Sequence, residues 1–453
     1  MSFQLQQAMA EHVFKRKAYD KMLEWKQNRR GRTALLIEGA RRVGKSTLVQ
    51  QFARHEYKSF ILIDFNIAPA QVIELFEAGL TNMDLFFFQL QTFYHISLTE
   101  RQSVIVFDEV QRYPRARQMV KYLVADGRYD YIETGSLISI HRHIKDITIP
   151  SEEERMELLP LDYEEFRWAV GDTATVPLLR QFMEKEIPLG AALQHSMREL
   201  RLYMLVGGMP QAVSEYISSN NLQQVDRVKR QILQLYAEDF MRLDTQGRIT
   251  TLFKAIPAQL SKQVARYQPT TILPNTDNSA ISAMLFAMVD SKVVNIAYHV
   301  NDPNIGMAST IDVSRYKLFL ADTGLFITLM FWEKDFTENI IYNKLLSDKL
   351  PTNLGYVYEN LVAQMLRSTG NTLYYHTFPK DERHNYEIDF LISRGSKLCP
   401  IEVKASGYKS HTSLDAFCKK YSARVGTPYL LYTKDVARDG QVLMLPIQMT
   451  ELI

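Results

Sequence analysis

The chain has 453 residues, of which 46% are hydrophobic and 23% charged, and it contains two cysteines. This composition predicts a globular protein of two to four domains and excludes a disulfide framework and a low-complexity chain. Lys and Arg total 53 against 51 for Asp and Glu, so the net charge neither requires nor excludes a nucleic-acid partner. The N-terminus lacks an apolar signal segment, and the most apolar window (318–332) is short and contains Asp322. We therefore expect a cytoplasmic protein without a membrane span.

A phosphate-binding loop is predicted near the N-terminus, where the sequence reads LLIEGARRVGKST from residue 35 to residue 47. An apolar run of strand length precedes the glycines, and a helical pattern follows them. The backbone N–H groups and the positive end of the helix dipole would bind phosphate oxygens. Lysine would reach the outer phosphates of ATP, and the serine hydroxyl would bind Mg²⁺. The predicted nucleotide-binding residues are Gly39, Ala40, Arg41, Arg42, Val43, Gly44, Lys45, Ser46 and Thr47.

An acidic pair follows a second apolar strand, in the sequence SVIVFDE that ends at Asp108 and Glu109. Ligands collect at the carboxyl ends of strands in open parallel sheets, so these two acids are expected beside the phosphate loop. Asp108 is the candidate Mg²⁺ ligand, and Glu109 is the candidate base for the attacking water. An ordinary strand that ends at the surface would give the same pattern without the upstream loop.

A further strand, 129–133, ends in Thr134, Gly135 and Ser136. A hydroxyl at this strand end could contact the γ-phosphate or the attacking water, so Thr134 and Ser136 are candidate catalytic residues. The alternative is a Gly-Ser turn with capping hydroxyls. A last strand is predicted over 156–160, and the capping-box pattern of Asp162 with Glu165 predicts the start of a helix.

These motifs together resemble a prokaryotic group of AAA-family ATPases that carry a long C-terminal region of unknown function. The matching segments are GARRVGKST, FDEVQRYPRARQMVKYL, ETGSL, LLPLDYEEF, YMLVGGMPQAV and KLFLADTGLF. Two features resemble the branch that includes AAA+ and STAND-type ATPases. A strand (60–65) lies between the two motifs in the chain, and the candidate base adjoins the candidate metal-binding Asp. The resemblance implies an ATP-hydrolysing α/β domain over 1–170, with a parallel sheet flanked by helices.

Members of this group often have a Gly-Arg pair before the PL…EF segment, and here Arg155 keeps the arginine of that pair. The resemblance makes Arg155 a candidate for stabilising charge on the transferring phosphoryl group. Other arginines near the predicted site could do the same, from this chain or from a neighbouring subunit. The alternative for each of them is a solvated helix face. They are Arg41, Arg42, Arg112, Arg115 and Arg117.

The middle of the chain is predicted to contain a helical lid or linker (171–248) and a winged-helix-like domain (249–335). The second prediction depends on two helices followed by two strands, at 293–299 and 317–321. The second of these helices, SAISAMLFAMVDS, has almost no basic residues. Its composition favours packing over DNA readout.

The last segment, 336–453, contains a second candidate site. Two strand-like runs alternate strictly in EIDFLI and PIEVK, which places Glu387 and Asp389 on one face of the first strand and Glu402 with Lys404 on one face of the second. If these strands pair, the acids could hold Mg²⁺ or Mn²⁺, and Lys404 could activate water or stabilise the transition state. Glu359, on a preceding amphipathic helix, could add a third ligand. The alternative is a hairpin whose exposed face carries alternating charges.

The order of these residues, a glutamate on a helix and then Asp…Glu-x-Lys on a hairpin, resembles the PD-(D/E)XK nuclease superfamily. The resemblance implies a restriction-endonuclease-like α/β domain. DNA or RNA is then the expected partner. Candidate contact residues are Lys380, Arg383, His384, Lys409, Lys419 and Lys420.

The sequence therefore predicts a Mg²⁺-dependent ATPase joined to a nuclease-like domain, with a homo-oligomer or a partner protein as further possibilities. The alternative is a STAND-like nucleotide switch whose C-terminal domain binds a partner without catalysis.

Overall fold

The computed structural model describes residues 13–78, 82–135, 151–262, 266–304, 306–333, 339–347, 355–405 and 410–453. Ser136 and Lys409 lie outside these residues. The chain divides into two compact units, residues 1–159 and residues 160–453.

The first unit is a five-stranded parallel sheet flanked by helices. The sheet order is β2-β3-β4-β1-β5. Its helices are α1 (Lys17–Arg29), α2 (Lys45–Glu56), α3 (Ala70–Ala78), α4 (Met83–Tyr94) and α5 (Pro114–Asp126). Its strands are β1 (Ala34–Glu38), β2 (Ser59–Asp64), β3 (Ser103–Asp108), β4 (Asp130–Gly135) and β5 (Glu153–Glu157).

The core of this unit lies on both faces of the sheet, because β1, β3 and β4 are buried along their whole length. Leu35 and Ile37 pack with α1 and α2, whereas Leu36 belongs to the cluster that includes residues of α3, α4 and α5. Such two-sided burial explains why the central strands are continuous apolar runs. The predicted parallel sheet is confirmed.

Strand order places β4 between β1 and β3, so β2 lies at an edge although it follows β1 in the chain. The carboxyl ends of β1, β3 and β4 therefore meet at one edge of the sheet. The last strand starts earlier than the predicted 156–160, because β5 pairs with β1 from Glu153 onward. Among the described strands, β5 lies at the edge of the sheet and pairs with β1, and an edge strand tolerates charged residues such as those of β5.

The second unit combines helices with an eight-stranded sheet of order β12-β13-β11-β10-β9-β8-β6-β7. Its first helices are α6 (Tyr163–Ala169), α7 (Thr175–Glu184), α8 (Ala192–Val206), α9 (Pro210–Ser219), α10 (Leu222–Leu243), α11 (Arg248–Lys254), α12 (Ile256–Ser261), α13 (Pro269–Ile272) and α14 (Asn278–Asp290). Asp162 and Glu165 form the predicted capping box at the start of α6.

The rest of the second unit contains helices α15 (Thr323–Met330), α16 (Asn339–Leu346), α17 (Gly355–Ser368) and α18 (Thr412–Lys420). Its strands are β6 (Val294–Val300), β7 (Ile311–Leu320), β8 (Leu373–Pro379), β9 (Asn385–Arg394), β10 (Lys397–Lys404), β11 (Tyr429–Tyr432), β12 (Ala437–Asp439) and β13 (Val442–Pro446).

The two strands of the predicted winged helix belong to this larger sheet. They pair with each other in antiparallel fashion, as a wing would, but β6 also pairs in parallel with β8. A boundary between a winged-helix domain ending at 335 and a C-terminal domain starting at 336 would cut through a continuous hydrogen-bonded sheet. Strand β7 is also longer than predicted, because its first residues are partly exposed and polar.

In the C-terminal segment, α17 is followed by β8, β9 and β10, then by α18 and β11. The three strands β8, β9 and β10 form an antiparallel meander, and β11 joins β10 in parallel after α18. Helix α17 is buried along most of its length, so its few polar groups point to specific partners. This arrangement brings the middle of β9 next to the carboxyl end of β10.

Two glycine-containing segments of the second unit, YMLVGGMP and LADTGLF, contact each other directly. A Cβ atom on Gly324 would lie 2.6 Å from the backbone N of Gly207. Asp322 accepts a hydrogen bond of 2.5 Å from the N–H of Gly208 and another from Leu325 at the start of α15. These segments therefore hold α8, α9 and α15 together.

Candidate phosphate-loop and carboxylate sites

The turn between β1 and α2 has no room for a side chain at Gly39. A Cβ atom there would lie 2.3 Å from the carbonyl oxygen of Leu158. At the other end of the turn, Gly44 caps α2 with a φ of 96°. Arg42 also has a positive φ, 69°, which a non-glycine residue adopts at some energetic cost. The loop is thus wound tightly above the N-terminus of a twelve-residue helix.

Lys45 is buried inside this turn, with 6% of its surface exposed. Its ammonium donates to the carbonyl oxygens of Gly39 (2.9 Å) and Ala40 (3.0 Å). Burial lowers the pKa of Lys45, and the negative charges of Glu109 and Asp108 partly offset that effect. A buried ammonium held only by neutral carbonyls would gain a strong partner from a phosphate.

Ser46, Asp108 and Thr134 form a connected hydroxyl–carboxylate cluster. The Ser46 hydroxyl donates to Oδ1 of Asp108 over 2.8 Å, and the Thr134 hydroxyl donates to the same oxygen. The side chains come from the start of α2 and from the ends of β3 and β4, which adjoin in the sheet. A serine hydroxyl beside a carboxylate offers the hard oxygen ligands that Mg²⁺ prefers.

Glu109 follows the cluster directly and is held in an unusual backbone conformation. Its φ is 55°, and its N–H donates to Oγ1 of Thr134 over 3.2 Å. The amide of Gln111 donates to Oε2 of the Glu109 side chain. Thr134 therefore connects the candidate metal ligand to the candidate base, and Gln111 orients the base. Sequence reasoning missed Gln111, because a glutamine two residues after an acid carries no recognised signal.

Arg155 is placed differently from the prediction. It lies on β5 in register with Leu36, on the sheet face that packs against α5. Its guanidinium bonds to Glu153 over 3.1 Å and lies 3.7 Å from Glu38. These contacts do not bring Arg155 into the cluster of Ser46, Asp108 and Thr134. A catalytic role for Arg155 stays a prediction.

The first site fits a nucleoside triphosphate with Mg²⁺. It offers a tight turn that only glycine can begin, a helix N-terminus, a buried ammonium and paired oxygen ligands, all at one sheet edge. A base lies next to the oxygen ligands.

The second site is a group of carboxylates on the eight-stranded sheet and on α17. Glu359, Glu387 and Asp389 each offer one oxygen, and these three oxygens lie within 4.8 Å of one another. Glu359 and Asp389 were predicted as ligands. Glu387 was predicted only to share the face of Asp389, and the structure adds it to the group.

Lys317 enters this group from β7. Its ammonium lies 2.6 Å from Oε1 of Glu359 and 2.5 Å from Oε1 of Glu387. Burial alone would lower the pKa of Lys317, but the attraction of these carboxylates raises it above the ordinary value. The prediction missed Lys317, because its strand had been assigned to a separate domain.

Asp389, Glu402 and Lys404 meet where β9 lies beside β10. Asp389 accepts a hydrogen bond of 2.7 Å from the N–H of Val403, and Lys404 lies 2.7 Å from Oε1 of Glu402. Loss of hydration, and then the charge of Glu359, raise the pKa of Asp389 well above its usual range. The structure therefore places Asp389 against the backbone of β10, next to the strand positions of Glu402 and Lys404; their joint role as a site stays a prediction.

The second site also fits a divalent cation. Glu402 is 4% exposed, and its Oε2 atom has no hydrogen-bond partner among the described residues. Such an orphaned, buried carboxylate oxygen would gain a partner from a bound cation. All the donors are oxygens, as Mg²⁺ and Mn²⁺ require.

The predicted nucleic-acid contacts that the structure describes are exposed, as phosphate contacts must be. They are Lys380, Arg383, His384, Lys419 and Lys420. The helices in the described parts of the chain include none long and apolar enough to cross a membrane.

Comparisons with known proteins agree with the first site. Residues 31–167 match a family model described as an AAA domain. Residues 197–335 and 354–449 match two models described as domains of unknown function, DUF8612 and DUF4143. No curated protein matches the chain.

Several solved structures are similar to parts of the chain. A Walker-type ATPase of Pyrococcus abyssi is 17% identical, covers 71% of this chain and 97% of its own, and has a TM-score of 0.43. The Orc1 protein of Aeropyrum pernix in complex with DNA is 11% identical, with coverages of 75% and 93% and a TM-score of 0.27. The RuvB Holliday junction branch migration motor of Thermotoga maritima is 11% identical, with coverages of 62% and 89% and a TM-score of 0.28.

These TM-scores are too low to assign a function. What the comparisons show is that residues 31–167 are similar to the AAA domain family, over the segment that contains the phosphate loop and most of the parallel sheet.

Proposed function

We propose that this protein is a Mg²⁺-dependent ATPase whose second unit contains a metal-dependent site for cleaving nucleic-acid phosphodiester bonds. The observation that carries the second half is the group of Glu359, Glu387 and Asp389, whose Asp389 bonds to the backbone of the strand that carries the paired Glu402 and Lys404. The first half is supported by the cluster of Ser46, Asp108 and Thr134 beside the phosphate loop.

In the first unit, Lys45 leaves its loop carbonyls and binds the outer phosphates of ATP. Backbone N–H groups at the start of α2 bind the remaining phosphate oxygens. Bound Mg²⁺ supplies charge neutralisation of the phosphates. Glu109, oriented by Gln111, positions the attacking water and accepts its proton.

In the second unit, Asp389 and Glu402 present oxygens from adjacent strands, and Glu359 presents one from α17. When bound, a divalent cation would polarise the phosphodiester and lower the pKa of a water molecule. Lys404, held beside Glu402, places a positive charge where the transition state gains negative charge.

A cleavage assay tests this proposal. Labelled single-stranded and double-stranded DNA and RNA are incubated with the full chain in Mg²⁺ or Mn²⁺, with and without ATP. We expect cleavage by the wild type and by Glu382→Gln, which alters an exposed glutamate. We expect no cleavage by Glu402→Gln. If no substrate is cut under any condition, or if Glu402→Gln cuts normally, the nuclease assignment is wrong.

A second candidate function is a nucleotide-controlled switch whose second unit binds a partner without catalysis. The observation that favours it is Lys317, whose ammonium already neutralises part of the carboxylate group. In that case ATP would still bind through Lys45, but the carboxylates would bind no metal. The two functions are separated by divalent-cation binding to the second unit.

A further inference from the structure

Lys317 occupies the position in which a cation would contact the carboxylate group. Its side chain is 6% exposed, and its ammonium touches two of the three carboxylates that lie within 4.8 Å of one another. The ammonium also lies 5.5 Å from the centre of the Tyr375 ring. The positive charge of Lys317 explains how the negative charges of Glu359 and Glu387 are tolerated close together.

A lysine at this position competes with a divalent cation in two ways. It uses Oε1 of Glu359 and Oε1 of Glu387, which the cation would need as ligands. It also repels the cation through its own positive charge, and that repulsion is strong where water is scarce.

We propose that Lys317 is a built-in counter-ion that keeps this site at low metal affinity, and that a divalent cation binds only when the Lys317 ammonium leaves Glu359 and Glu387. The inference rests on the proposed metal site. It adds Lys317, a residue of β7 that lies outside the segment that carries the carboxylates. Lys317 would determine when the site binds a divalent cation.

The charges around the site support this role. Four carboxylates, those of Glu359, Glu387, Asp389 and Glu402, face two ammonium groups. Lys404 is held by Glu402, so Lys317 is the ammonium that contacts Glu359 and Glu387 in the described structure. Without Lys317, the partly exposed carboxylates of Glu359 and Glu387 would lose their positive partner, and their mutual repulsion would favour binding of a cation from solution.

The experiment measures Mn²⁺ binding to the full chain by electron paramagnetic resonance, after treatment with EDTA and without nucleotide. The variants are Lys317→Met, which keeps the length and apolar stem, and Lys317→Arg, which keeps the charge. Lys344→Met, at an exposed position on α16, is the matched control. A separate Asp389→Asn variant identifies the signal that comes from this site.

We expect Lys317→Met to bind Mn²⁺ at the Asp389-dependent site about tenfold more tightly than the wild type, or better, because one repelling charge is removed. Lys317→Arg and Lys344→Met should retain the weak binding of the wild type. Thermal unfolding gives a second measurement: Mn²⁺ should raise the Tm of Lys317→Met more than that of the wild type.

If Lys317→Met does not fold in EDTA, Lys317→Gln is prepared in Mn²⁺, and its Tm is followed as the metal is removed. A fall in Tm on removal that exceeds the fall for the wild type supports the inference. An equal fall contradicts it.

The remaining outcomes separate this inference from the proposed function. If the wild type and Lys317→Met bind Mn²⁺ equally, and Asp389→Asn abolishes that binding, the metal site is correct and the counter-ion role is wrong. If neither protein binds Mn²⁺ at an Asp389-dependent site, the metal site itself is wrong and the inference falls with it.

Discussion

The Oγ atom of Ser46 lies 2.8 Å from the Oδ1 atom of Asp108, although 62 positions separate the two residues in the chain. The contact is made possible by the sheet order, in which β4 lies between β1 and β3 and supplies Thr134 to the same carboxylate oxygen. Three chain segments thus converge on one carboxylate, the candidate metal ligand Asp108. Four predictions concern the groups that orient this cluster or stabilise the units.

Thr134 is expected to act by positioning two other residues. Thr134→Val keeps the shape but removes the hydroxyl that donates to Asp108 and accepts from the N–H of Glu109. We predict a ~10–100-fold loss of kcat for ATP hydrolysis, the usual effect of removing a partner of a metal ligand. Steady-state phosphate release measures it. Thr134→Ser keeps the hydroxyl and should recover most of the activity; equal rates for Val and wild type would contradict the role.

Gln111 is expected to orient the base without contacting the nucleotide. Gln111→Leu removes the amide that donates to Glu109. The carboxylate would then sample other rotamers, and we predict that kcat falls about tenfold while KM for ATP stays unchanged. The measurement is a full ATP titration. A change confined to KM would show that Gln111 serves binding instead.

Glu133 should make the stability of the first unit depend on pH. It is fully buried, and neither carboxylate oxygen has a hydrogen-bond partner among the described residues, although Arg117 lies 3.9 Å away. Burial, and then the charge of Glu153, raise the pKa of Glu133 to about 8.

Because the folded pKa exceeds the unfolded value of about 4.3, the folded state binds the extra proton between those values. The stability from this proton is complete below the unfolded pKa and is lost as pH rises through about 8. Glu133→Gln should therefore unfold at a higher temperature than the wild type at pH 9, with little difference at pH 4, below the unfolded pKa. Glu74→Gln, at an exposed position of α3, is the control. Parallel pH profiles for Glu133→Gln and wild type would contradict this prediction.

Lys229 is expected to stabilise the helical part of the second unit. It is fully buried on α10, and its ammonium donates to the carbonyl oxygens of Leu205 (2.6 Å) and Gly324 (3.2 Å). Lys229→Met leaves these carbonyls and the charge of buried Asp226 without that partner. We predict a loss of about 3–5 kcal/mol in the free energy of unfolding.

Chemical denaturation measures the loss for Lys229→Met. Lys185→Met, at an exposed position, should change the free energy of unfolding by less than about 0.5 kcal/mol. Similar stabilities for the two variants would show that Lys229 is not a structural support.

The phosphate loop and the acidic strand end could be predicted because each signal is local. Gly39, Gly44 and Lys45 fall within a few residues, directly after an apolar run. This spacing indicates a strand, a tight turn and a helix in that order. Asp108 could be assigned to the same sheet edge because parallel strands end together. The insertion of β4 between β1 and β3 could not be predicted, since strand order leaves no mark in the apolar pattern.

The second site was predicted in part for the same reason. Asp389, Glu402 and Lys404 lie on adjacent strands of one hairpin, where strict alternation fixes the face of each side chain. Lys317 could not be assigned to them, because its contact depends on the parallel pairing of β6 with β8, which are far apart in the chain. Alternation in the sequence indicates that a strand exists, but it does not identify the neighbouring strand.

The most direct test of the first site is the rate of phosphate release from ATP by Glu109→Gln compared with the wild type. ATP binding is measured in parallel with a fluorescent analogue, and Lys45→Ala serves as the variant deficient in binding. We predict that Glu109→Gln binds the nucleotide like the wild type but hydrolyses it at least about 100-fold more slowly. Hydrolysis by Glu109→Gln at the wild-type rate would contradict the assignment of Ser46, Asp108 and Glu109 as an ATP-hydrolysing site.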